Sequence, residues 1–381
     1  MNAGSTHIWP SIYVNLNRPV STKRPSLQSI ADALGVSKMS VSLALRDHPR
    51  IPSSTRARIK REATKQGYKP NPEVARFLTA IRKSKPGDNG LPLACITTGT
   101  APKLWRQQSP TENAYWIGAS ERAKLYGYYV EEFWLEEPRM SARRLSDILW
   151  NRGINGVIIP PVLRVFSEAN REVSLELKWD RFCAVTIGDP LTSPELNRVV
   201  HDHYTSIVTA MNRLMHLGYR RIGLCLPEHM DLTVNQRWQA GYRVFRANHP
   251  LERIEPFIRP DLVAGDVRRW IKDNRIDAVL CAGHHMPRFF READINIGVD
   301  VGYADLDLYP RDEEYLGISG IMQNSQMLGM AAVDMIVGGL QRDQLGIPEV
   351  PFVTQVRGSW VDGKTTPPAA RLKGRKRTRP R

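Results

Sequence analysis

Two short amphipathic helices are predicted by the pattern of apolar and polar residues between Ser26 and Arg46. The apolar positions of the first helix follow the i, i+3, i+4, i+7 spacing of one buried face: Leu27, Ile30, Ala31 and Leu34. Gly35 ends this helix, and Ser37 is suited to cap a second one that runs roughly from Lys38 to Leu45. Such a pair is typical of a helix-turn-helix, whose second helix can enter the major groove of DNA. A small helical hairpin without a partner is the alternative at this point.

A third helix is predicted from about Pro52 to Gln66, and it completes a small helical head. Its candidates for the inner face are Ala57, Ile59, Ala63 and Thr64. Asn71 and Pro72 then suit the N-cap and first position of a short fourth helix that ends near Arg82. The polar, Gly- and Pro-bearing stretch 83–90 is the predicted domain boundary.

Apolar strands alternate with amphipathic helices from Leu91 onward. The predicted strands are Leu93–Thr97, Tyr128–Trp134, Gly156–Ile159, Phe182–Ile187, Arg221–Leu226, Ala278–Cys281 and Val299–Tyr303. The predicted helices are Ala114–Leu125, Ala142–Asn151, Ser206–Leu217, Val234–Ala247, Val267–Asn274 and Leu328–Leu340. This order favours parallel sheets with helices on both faces. Because the stretch is too long for one such sheet, we expect two similar lobes around a cleft, with ligand bound at the carboxyl ends of the strands.

Positive charge is concentrated at the two ends of the chain. Residues 1–90 contain 16 Lys and Arg against 5 Asp and Glu, and residues 364–381 contain 8 against none. The stretch between them has a net charge of −4, although the whole chain carries +15. A basic head on a mildly acidic body indicates a polyanion-binding module joined to a domain of another function.

Composition excludes several other classes of protein. No apolar run is long enough to span a membrane, and the first 19 residues lack the pattern of a secretory signal. The four cysteines lie singly in apolar runs, which favours reduced, buried thiols and a cytoplasmic location: Cys95, Cys183, Cys225 and Cys281.

Ordered motifs run from the head into the body. In the head they are Leu34-Gly35-Val36-Ser37, Val41-Ser42, Ile51-Pro52 and Gly67-Tyr68-Lys69-Pro70-Asn71. In the body they include Gly153-Ile154-Asn155-Gly156, Leu217-Gly218-Tyr219-Arg220-Arg221 and Val356-Arg357-Gly358-Ser359. With these motifs the chain resembles the lac-repressor (LacI/GalR) family of bacterial transcription regulators over about residues 25–363.

The resemblance implies an all-α helix-turn-helix head on an α/β, two-lobed body with parallel sheets, similar to periplasmic binding proteins. The implied domains are a disordered extension (1–24), the DNA-binding domain (25–69), a hinge helix and linker (70–90), the effector-binding and dimerisation domain (91–363) and a basic disordered tail (364–381). It also implies a homodimer that binds a double-stranded DNA operator and a small-molecule effector, for which a sugar is the expected class. No cofactor and no membrane partner are expected.

The family's DNA-reading positions can be carried over to this sequence residue by residue. Bases would be read by Lys38 and Met39, with Ser42 also facing the groove. Positions used on the phosphate backbone map to Ser26, Ser37, Ser40 and Tyr68, with Arg50 near the DNA. A hinge-helix leucine that enters the minor groove maps to Leu78, although Phe77 is an alternative and packing against a partner's hinge is another.

Two departures from the family alter the expected DNA reading. Leu43 stands where the family usually has an arginine, so one bidentate base contact worth about 1–3 kcal/mol of discrimination is missing. The segment from Pro70 to Leu78 is one residue longer than usual, which leaves the register of the hinge open. The operator therefore cannot be copied from the family.

The effector positions are altered as well. Gly283-His284 replaces the family's Asn-Asp, Asp305 alone survives of its Asp-Asp pair, and Trp238 stands at its arginine position with Arg237 beside it. Gln323 matches a ligand-facing position and Asp202 approximately does, while Tyr115 and Trp116 could stack on a sugar ring. Core packing or surface exposure is the alternative for each of these eight residues.

Other motifs are weaker. The phosphate-loop pattern from Gly358 to Thr365 has no room for a following helix and is interpreted as a chance match. His201-Asp202-His203 and His284-His285 lack further metal ligands at suitable spacing, and Asp202 is expected to cap a helix. No catalytic set emerges, so we expect no enzyme. The prediction is an effector-controlled repressor; a cytosolic solute-binding protein without specific DNA reading, and then an enzyme on the α/β body, are the alternatives.

Overall fold

A computed structural model describes residues 27–45, 51–68, 90–161, 174–189, 191–283, 285–309 and 316–372. The chain divides into two units, residues 1–71 and 72–381, which are called the head and the body here. Ser26, Arg50, the predicted hinge helix with Phe77 and Leu78, His284 and the last nine residues lie outside the described ranges.

Three helices pack around a small apolar core in the head: α1 (Leu27–Leu34), α2 (Lys38–Ala44) and α3 (Ser53–Lys65). The core consists of Ile30, Ala31, Val41, Ala44, Ile59 and Ala63. Gly35 has φ of +62°, a conformation that favours glycine, so the chain turns sharply between α1 and α2. Two predicted inner-face residues of α3, Ala57 and Thr64, are exposed, so that part of the prediction is wrong.

The first lobe of the body contains a six-stranded parallel sheet in the order β11-β5-β4-β3-β1-β2. Its strands are β1 (Leu91–Thr97), β2 (Tyr128–Trp134), β3 (Gly156–Ile159), β4 (Cys183–Ile187), β5 (Asn197–His201) and β11 (Val353–Val356). Strands β3 and β4 are buried along their whole length, as expected for a sheet covered by helices on both faces.

The second lobe contains another six-stranded sheet, in the order β12-β10-β9-β8-β6-β7. Its strands are β6 (Ile222–Pro227), β7 (Phe257–Arg259), β8 (Ala278–Cys281), β9 (Gly302–Leu308), β10 (Ser319–Met322) and β12 (Ser359–Val361). All neighbours pair in parallel except β12, which runs antiparallel to β10. The prediction of two similar lobes with parallel sheets is thereby confirmed.

Nine α-helices of the described body flank these sheets. They are α4 (Leu104–Gln108), α5 (Pro110–Leu125), α6 (Ala142–Asn151), α7 (His203–His216), α8 (Glu228–Thr233), α9 (Arg237–Ala247), α10 (Ala264–Asp273), α11 (Met286–Glu292) and α12 (Ser325–Gln341). No helix in the described ranges combines the length and apolarity needed to cross a membrane.

The chain passes between the lobes at three places, which we call the crossovers: residue 202, residues 323–324 and residues 357–358. Helix α7 follows β5 of the first sheet but packs on the second, and α12 follows β10 of the second sheet but packs on the first. The crossovers are tied together, because Asp202 N–H donates to the Val356 carbonyl at 2.9 Å and Asn324 Nδ2 to the Arg357 carbonyl at 2.9 Å.

Two predicted elements of the body are placed differently in the structure. The strand predicted at Val299–Tyr303 is β9, which begins only at Gly302 and continues to Leu308. The helix predicted at Val234–Ala247 is α9, which begins only at Arg237, because Asn235 and Gln236 both have left-handed backbone angles. The strands β5, β7, β10, β11 and β12 were not predicted.

Candidate functional site

Helix α2 presents an exposed face at its N-terminal end. Met39 is 64% exposed although it is a large apolar residue, and Lys38 beside it is also exposed. The Ser37 side chain caps the helix by accepting a hydrogen bond from the Ser40 N–H at 3.0 Å. Because capping and core packing fix the helix, Lys38 and Met39 are held on a rigid support from which they can reach a partner.

The remaining head positions differ in exposure. Leu43 is half-buried, and it is not among the residues that pack on the head's core. Tyr68 is half-buried against that core, and its N–H donates to the Ala63 carbonyl at 2.8 Å. The side chain of Ser42 is not described. The head therefore offers a positively charged and an apolar side chain side by side, with Tyr68 anchored at its end.

A cavity of about 290 Å³ lies in the body at the junction of the two lobes. The first lobe contributes Thr111, Glu112 and Tyr115 from the start of α5, and Asp189 from the loop after β4. The second lobe contributes Trp238 from α9 and Asp307 from the end of β9, among others. The cavity thus lies outside the carboxyl ends of strands of both sheets, as expected for such folds.

Two sets of polar contacts join the lobes beside this cavity. The Thr111 hydroxyl of the first lobe lies 3.1 Å from each carboxylate oxygen of Asp307 in the second. Asp189 of the first lobe pairs with Arg198 of its own lobe at 3.1 Å and with Arg237 of the second lobe. Because Asp189 is nearly buried, these charge-assisted bonds are stronger than exposed ion pairs. Together they tie the two sides of the cleft to each other.

A row of aromatic rings leads from the cavity to the crossovers. His203 packs edge to face on Trp238, with 5.1 Å between ring centroids, and on His201 at 4.8 Å. Nε2 of His201 shares a hydrogen bond of 2.7 Å with the Ser206 hydroxyl. Burial lowers the pKa of His201 to about 4 and that of His203 well below its ordinary value, so both rings are neutral near pH 7.

Burial has the opposite effect on the carboxyl groups in and beneath the cavity. It raises the pKa of Glu112 to about 8, with the nearby charge of Asp307 adding to the shift. It raises the pKa of Asp307 to about 6, although the hydrogen bond from Thr111 opposes the shift. Asp305 lies deeper, where burial raises its pKa to about 7 while bonds from the Tyr303 hydroxyl and the Asp307 N–H hold it in place.

Comparisons with known proteins bear first on the head. Residues 26–71 match the family model "Bacterial regulatory proteins, lacI family". The head is a DNA-binding domain of the lacI family. The curated proteins contain no sequence that matches this chain.

Solved structures of lacI-family regulators are similar in fold to most of the chain. The lac repressor dimer bound to operator and the anti-inducer ONPF is 17% identical with a TM-score of 0.52, and the match covers 91% of this chain and 100% of that one. The transcriptional regulator CelR in complex with cellobiose is 19% identical with a TM-score of 0.55, covering 90% and 100%. A LacI transcriptional regulator from a Rhodococcus species is 15% identical with a TM-score of 0.55, covering 73% and 99%. At these identities the likeness is one of fold.

Three of the eight effector residues expected from the lacI-family resemblance line the cavity. They are Tyr115, Trp238 and Gln323. The Tyr115 side chain is buried in the wall, and the Gln323 amide donates to the Leu306 carbonyl at 2.9 Å. Whether they contact an effector stays a prediction.

Four of the other expected effector residues, Trp116, Asp202, Arg237 and Asp305, do not line the cavity. Trp116 packs instead on Trp105 and under the Arg106 guanidinium. Asp202 caps α7, as its alternative interpretation predicted, by accepting from the Thr205 N–H at 3.0 Å. Arg237 is engaged by Asp189, and Asp305 lies beneath Asp307. His284 is outside the described residues.

The cavity also includes residues that sequence reasoning missed. Glu112 had a signal in the sequence, since Ser109-x-x-Glu112 is a capping-box pattern at a helix start. Asp189 follows a correctly predicted strand closely, and ligands bind at such ends. Asp307 had no usable signal, because the strand that carries it was predicted too early. His203 was considered only as a metal ligand.

The phosphate-loop pattern and the histidine pairs that the sequence analysis set aside are interpreted as before. Thr365 does not begin a helix; its hydroxyl instead donates to the Tyr303 carbonyl at 2.8 Å and accepts from the Ser319 N–H at 2.9 Å. In the described ranges, no group of three or more His, Cys, Asp or Glu side chains is arranged to hold a metal ion.

Proposed function

We propose that this protein is a transcriptional repressor of the lacI family, which acts in the cytoplasm as a homodimer and is controlled by a small-molecule effector of the sugar class. The single observation that supports this most is the lacI head on the same chain as a body whose two lobes enclose a polar cavity. The relative crystallised as a dimer on its operator has the same fold, and the relative crystallised with cellobiose supports a sugar.

DNA reading would begin at the exposed start of α2. The Lys38 ammonium can donate to the guanine O6 and N7 acceptors, whereas Met39 can offer apolar contact to a thymine methyl. Ser37, Ser40 and Tyr68, with Ser26 and Arg50, are proposed as phosphate contacts, and Ser42 as a further groove contact. Leu78 of the hinge is proposed to enter the minor groove. This set has fewer hydrogen-bond donors to bases than a head with arginine in place of Leu43.

Effector control would act through the lobes. A ligand that contacts both lobes favours the closed arrangement, because only that arrangement makes all of its contacts at once. His203 and Trp238 line the cavity, and His203 packs on His201 at the crossovers. A change in lobe angle would therefore move the crossovers and alter the spacing of the two heads in the dimer.

A mobility-shift experiment tests the proposal with the full chain. The probes are fragments from the DNA upstream of its own gene and scrambled fragments of equal length and composition. We expect preferential binding to one native fragment, with affinity for it falling about 10³–10⁵-fold between about 50 mM and about 200 mM salt if six to ten phosphates are contacted. Equal affinity for native and scrambled fragments would contradict the proposal.

A second candidate function is a cytosolic solute-binding protein whose head holds DNA without reading its sequence. The observation that favours it is Leu43, which replaces a base-reading arginine and is half-buried. Equal affinity for native and scrambled DNA together with tight effector binding would favour this candidate over the repressor.

A further inference from the structure

Two carboxyl groups line the cavity, one from each lobe, and neither has a cationic partner in the described part of the chain. Glu112 stands in the first turn of α5, and Asp307 at the end of β9. They lie close enough for the charge of Asp307 to raise the pKa of Glu112. Asp307 accepts only from the neutral Thr111 hydroxyl. A cation between them would favour their ionised forms, which burial disfavours.

Helix capping does not account for Glu112. In a capping box, the glutamate side chain would accept from the N–H of the cap residue, while the cap side chain accepts from the glutamate N–H. The structure shows the second of these bonds, from the Glu112 N–H to Ser109 Oγ at 3.3 Å. It shows no bond from the Ser109 N–H to the Glu112 carboxylate among the described residues, so the carboxylate is available to a ligand.

The third carboxylate of the cavity is already balanced. Asp189 pairs with both Arg198 and Arg237. The described lining contains histidines but no lysine or arginine, so a sugar phosphate or sugar acid would meet its acidic groups without a permanent positive charge among these residues, and like-charge contacts are unfavourable.

Two further groups in the cavity wall lack a hydrogen-bond partner within the described structure. They are the indole Nε1–H of Trp238, a residue that is 1% exposed, and Nδ1 of His203, a residue that is 8% exposed. An indole N–H can only donate, and a neutral imidazole nitrogen can donate or accept according to its tautomer. Hydroxyl groups can satisfy both, and leaving such buried groups without partners is unfavourable.

We propose that the effector is a small hydroxylated molecule that carries a protonated amino group, with amino sugars as its class. Its ammonium would lie between Glu112 and Asp307, and its hydroxyl groups would meet Trp238 and His203. The cavity volume of about 290 Å³ is at the lower end of the range for small-molecule sites, which suits a monosaccharide. The inference rests on the proposed function, since it takes this cavity as the effector site.

The ammonium would also have a mechanical effect. Glu112 belongs to the first lobe and Asp307 to the second, so a cation between them attracts both lobes at once. A neutral sugar of the same shape would keep its hydroxyl contacts but would lose this attraction. The amino group would therefore contribute to cleft closure and not only to affinity.

Isothermal titration calorimetry on the full chain tests the inference with matched ligands. The probes are glucosamine and galactosamine, their neutral parents glucose and galactose, and gluconate. We expect at least one amino sugar to bind at least about tenfold more tightly than its parent, which is the effect of one charge-assisted hydrogen bond, and gluconate not to bind.

Variants of Glu112 and Asp307 provide a second test of the inference. Glu112→Gln and Asp307→Asn keep the size of each side chain and remove its charge, so each should weaken amino-sugar binding about tenfold. Glu137→Gln is the matched control, because Glu137 is exposed and lies outside the cavity lining. Thermal unfolding of each variant without ligand checks that it folds.

The inference is overturned if no amino sugar binds, if a neutral parent or gluconate binds as tightly as the amine, or if both carboxyl variants bind the amine as the parent chain does. These outcomes are separable from failure of the proposed function. If a neutral sugar binds as tightly as the amine and alters operator affinity in the mobility shift, the proposed regulatory function is supported and the inference of an amino-sugar effector is wrong. Conversely, if the amino sugar binds more tightly than its neutral parent but the chain shows no operator-specific binding, the inference about the cavity is supported and the proposed regulatory function is wrong.

Discussion

Desolvation raises the pKa values of three acidic side chains in and beneath the cavity between the lobes. Glu112, Asp305 and Asp307 all have raised pKa values for this reason, whereas Asp189 is held by two arginines. At the scale of single residues, ionisation of these buried carboxyl groups therefore lowers the free energy of unfolding. A cationic ligand would remove that cost, which gives the site a link between pH, ligand and folding.

The pH dependence of stability has a defined sign for Glu112. Its pKa is raised from 4.5 to about 8, so the folded chain retains a proton that the unfolded chain has released. The associated stability is fully present below about pH 4.5 and is lost as the pH rises through about 8. We expect Glu112→Gln to match the parent chain in melting temperature near pH 4.5 and to exceed it increasingly towards pH 8, measured by thermal unfolding without ligand. A difference that stays constant with pH would contradict this. His201 titrates in both proteins and cancels in the comparison.

The interlobe ion pair gives a second prediction for single residues. Arg237→Gln removes the second lobe's partner of Asp189 and should cost about 1–3 kcal/mol in the free energy of unfolding, since the carboxylate stays nearly buried. Arg243→Gln is the control, because the pair of Arg243 with Glu255 is largely exposed and is worth about 1 kcal/mol or less. Urea unfolding measures both values. Equal losses for the two variants would show that Asp189 does not depend on its partner across the cleft.

At the scale of secondary-structure elements, the sequence predicted those whose pattern is continuous and buried. Strands Tyr128–Trp134, Gly156–Ile159 and Ala278–Cys281 were predicted with their observed bounds. Strand β9 was not, because Asp305 and Asp307 interrupt its apolar pattern although Asp305 is completely buried. Strands β7, β11 and β12 are short and lie at sheet edges, where exposure removes the signal.

The contact between α5 and α12 depends on glycines and gives a prediction for these elements. A Cβ added at Gly329 would lie 2.0 Å from the Tyr115 carbonyl oxygen, so Gly329→Ala must push the two helices apart. We expect a loss of about 1–3 kcal/mol by urea unfolding, together with weaker ligand binding because Tyr115 lines the cavity.

Gly338→Ala in the same helix is the matched control. Its Cβ would meet only the flexible end of Arg342 at 3.2 Å, and alanine favours a helix over glycine by about 0.5–1 kcal/mol. It should be neutral or stabilising. If Gly329→Ala were equally harmless, the close approach of the helices would not be needed for the fold.

At the scale of the whole molecule, the sequence predicted the two-lobed body but only some of the residues that line its cavity. Tyr115, Trp238 and Gln323 were found through the family resemblance. Asp189, Glu112 and Asp307 come together only when both sheets fold and the lobes meet, and no local spacing encodes that meeting.

The three crossovers between the lobes are closely packed and are linked by hydrogen bonds. They are tied by hydrogen bonds from Asp202 and Asn324, and a Cβ at Gly358 would lie 2.8 Å from the His201 ring. A shift at one crossover must therefore be shared by the others.

The central claim, that the chain reads a DNA sequence through the exposed start of α2, is tested most directly by the ratio of its affinities for native and scrambled DNA. Fluorescence anisotropy measures this ratio for the parent chain, for Lys38→Ala, for Met39→Ala and for Lys124→Ala, which removes one exposed positive charge from the body. We predict that Lys38→Ala and Met39→Ala lower the ratio, the former by about 5- to 150-fold if Lys38 reads a guanine, and that Lys124→Ala leaves it unchanged. Unchanged ratios in both head variants would contradict the account.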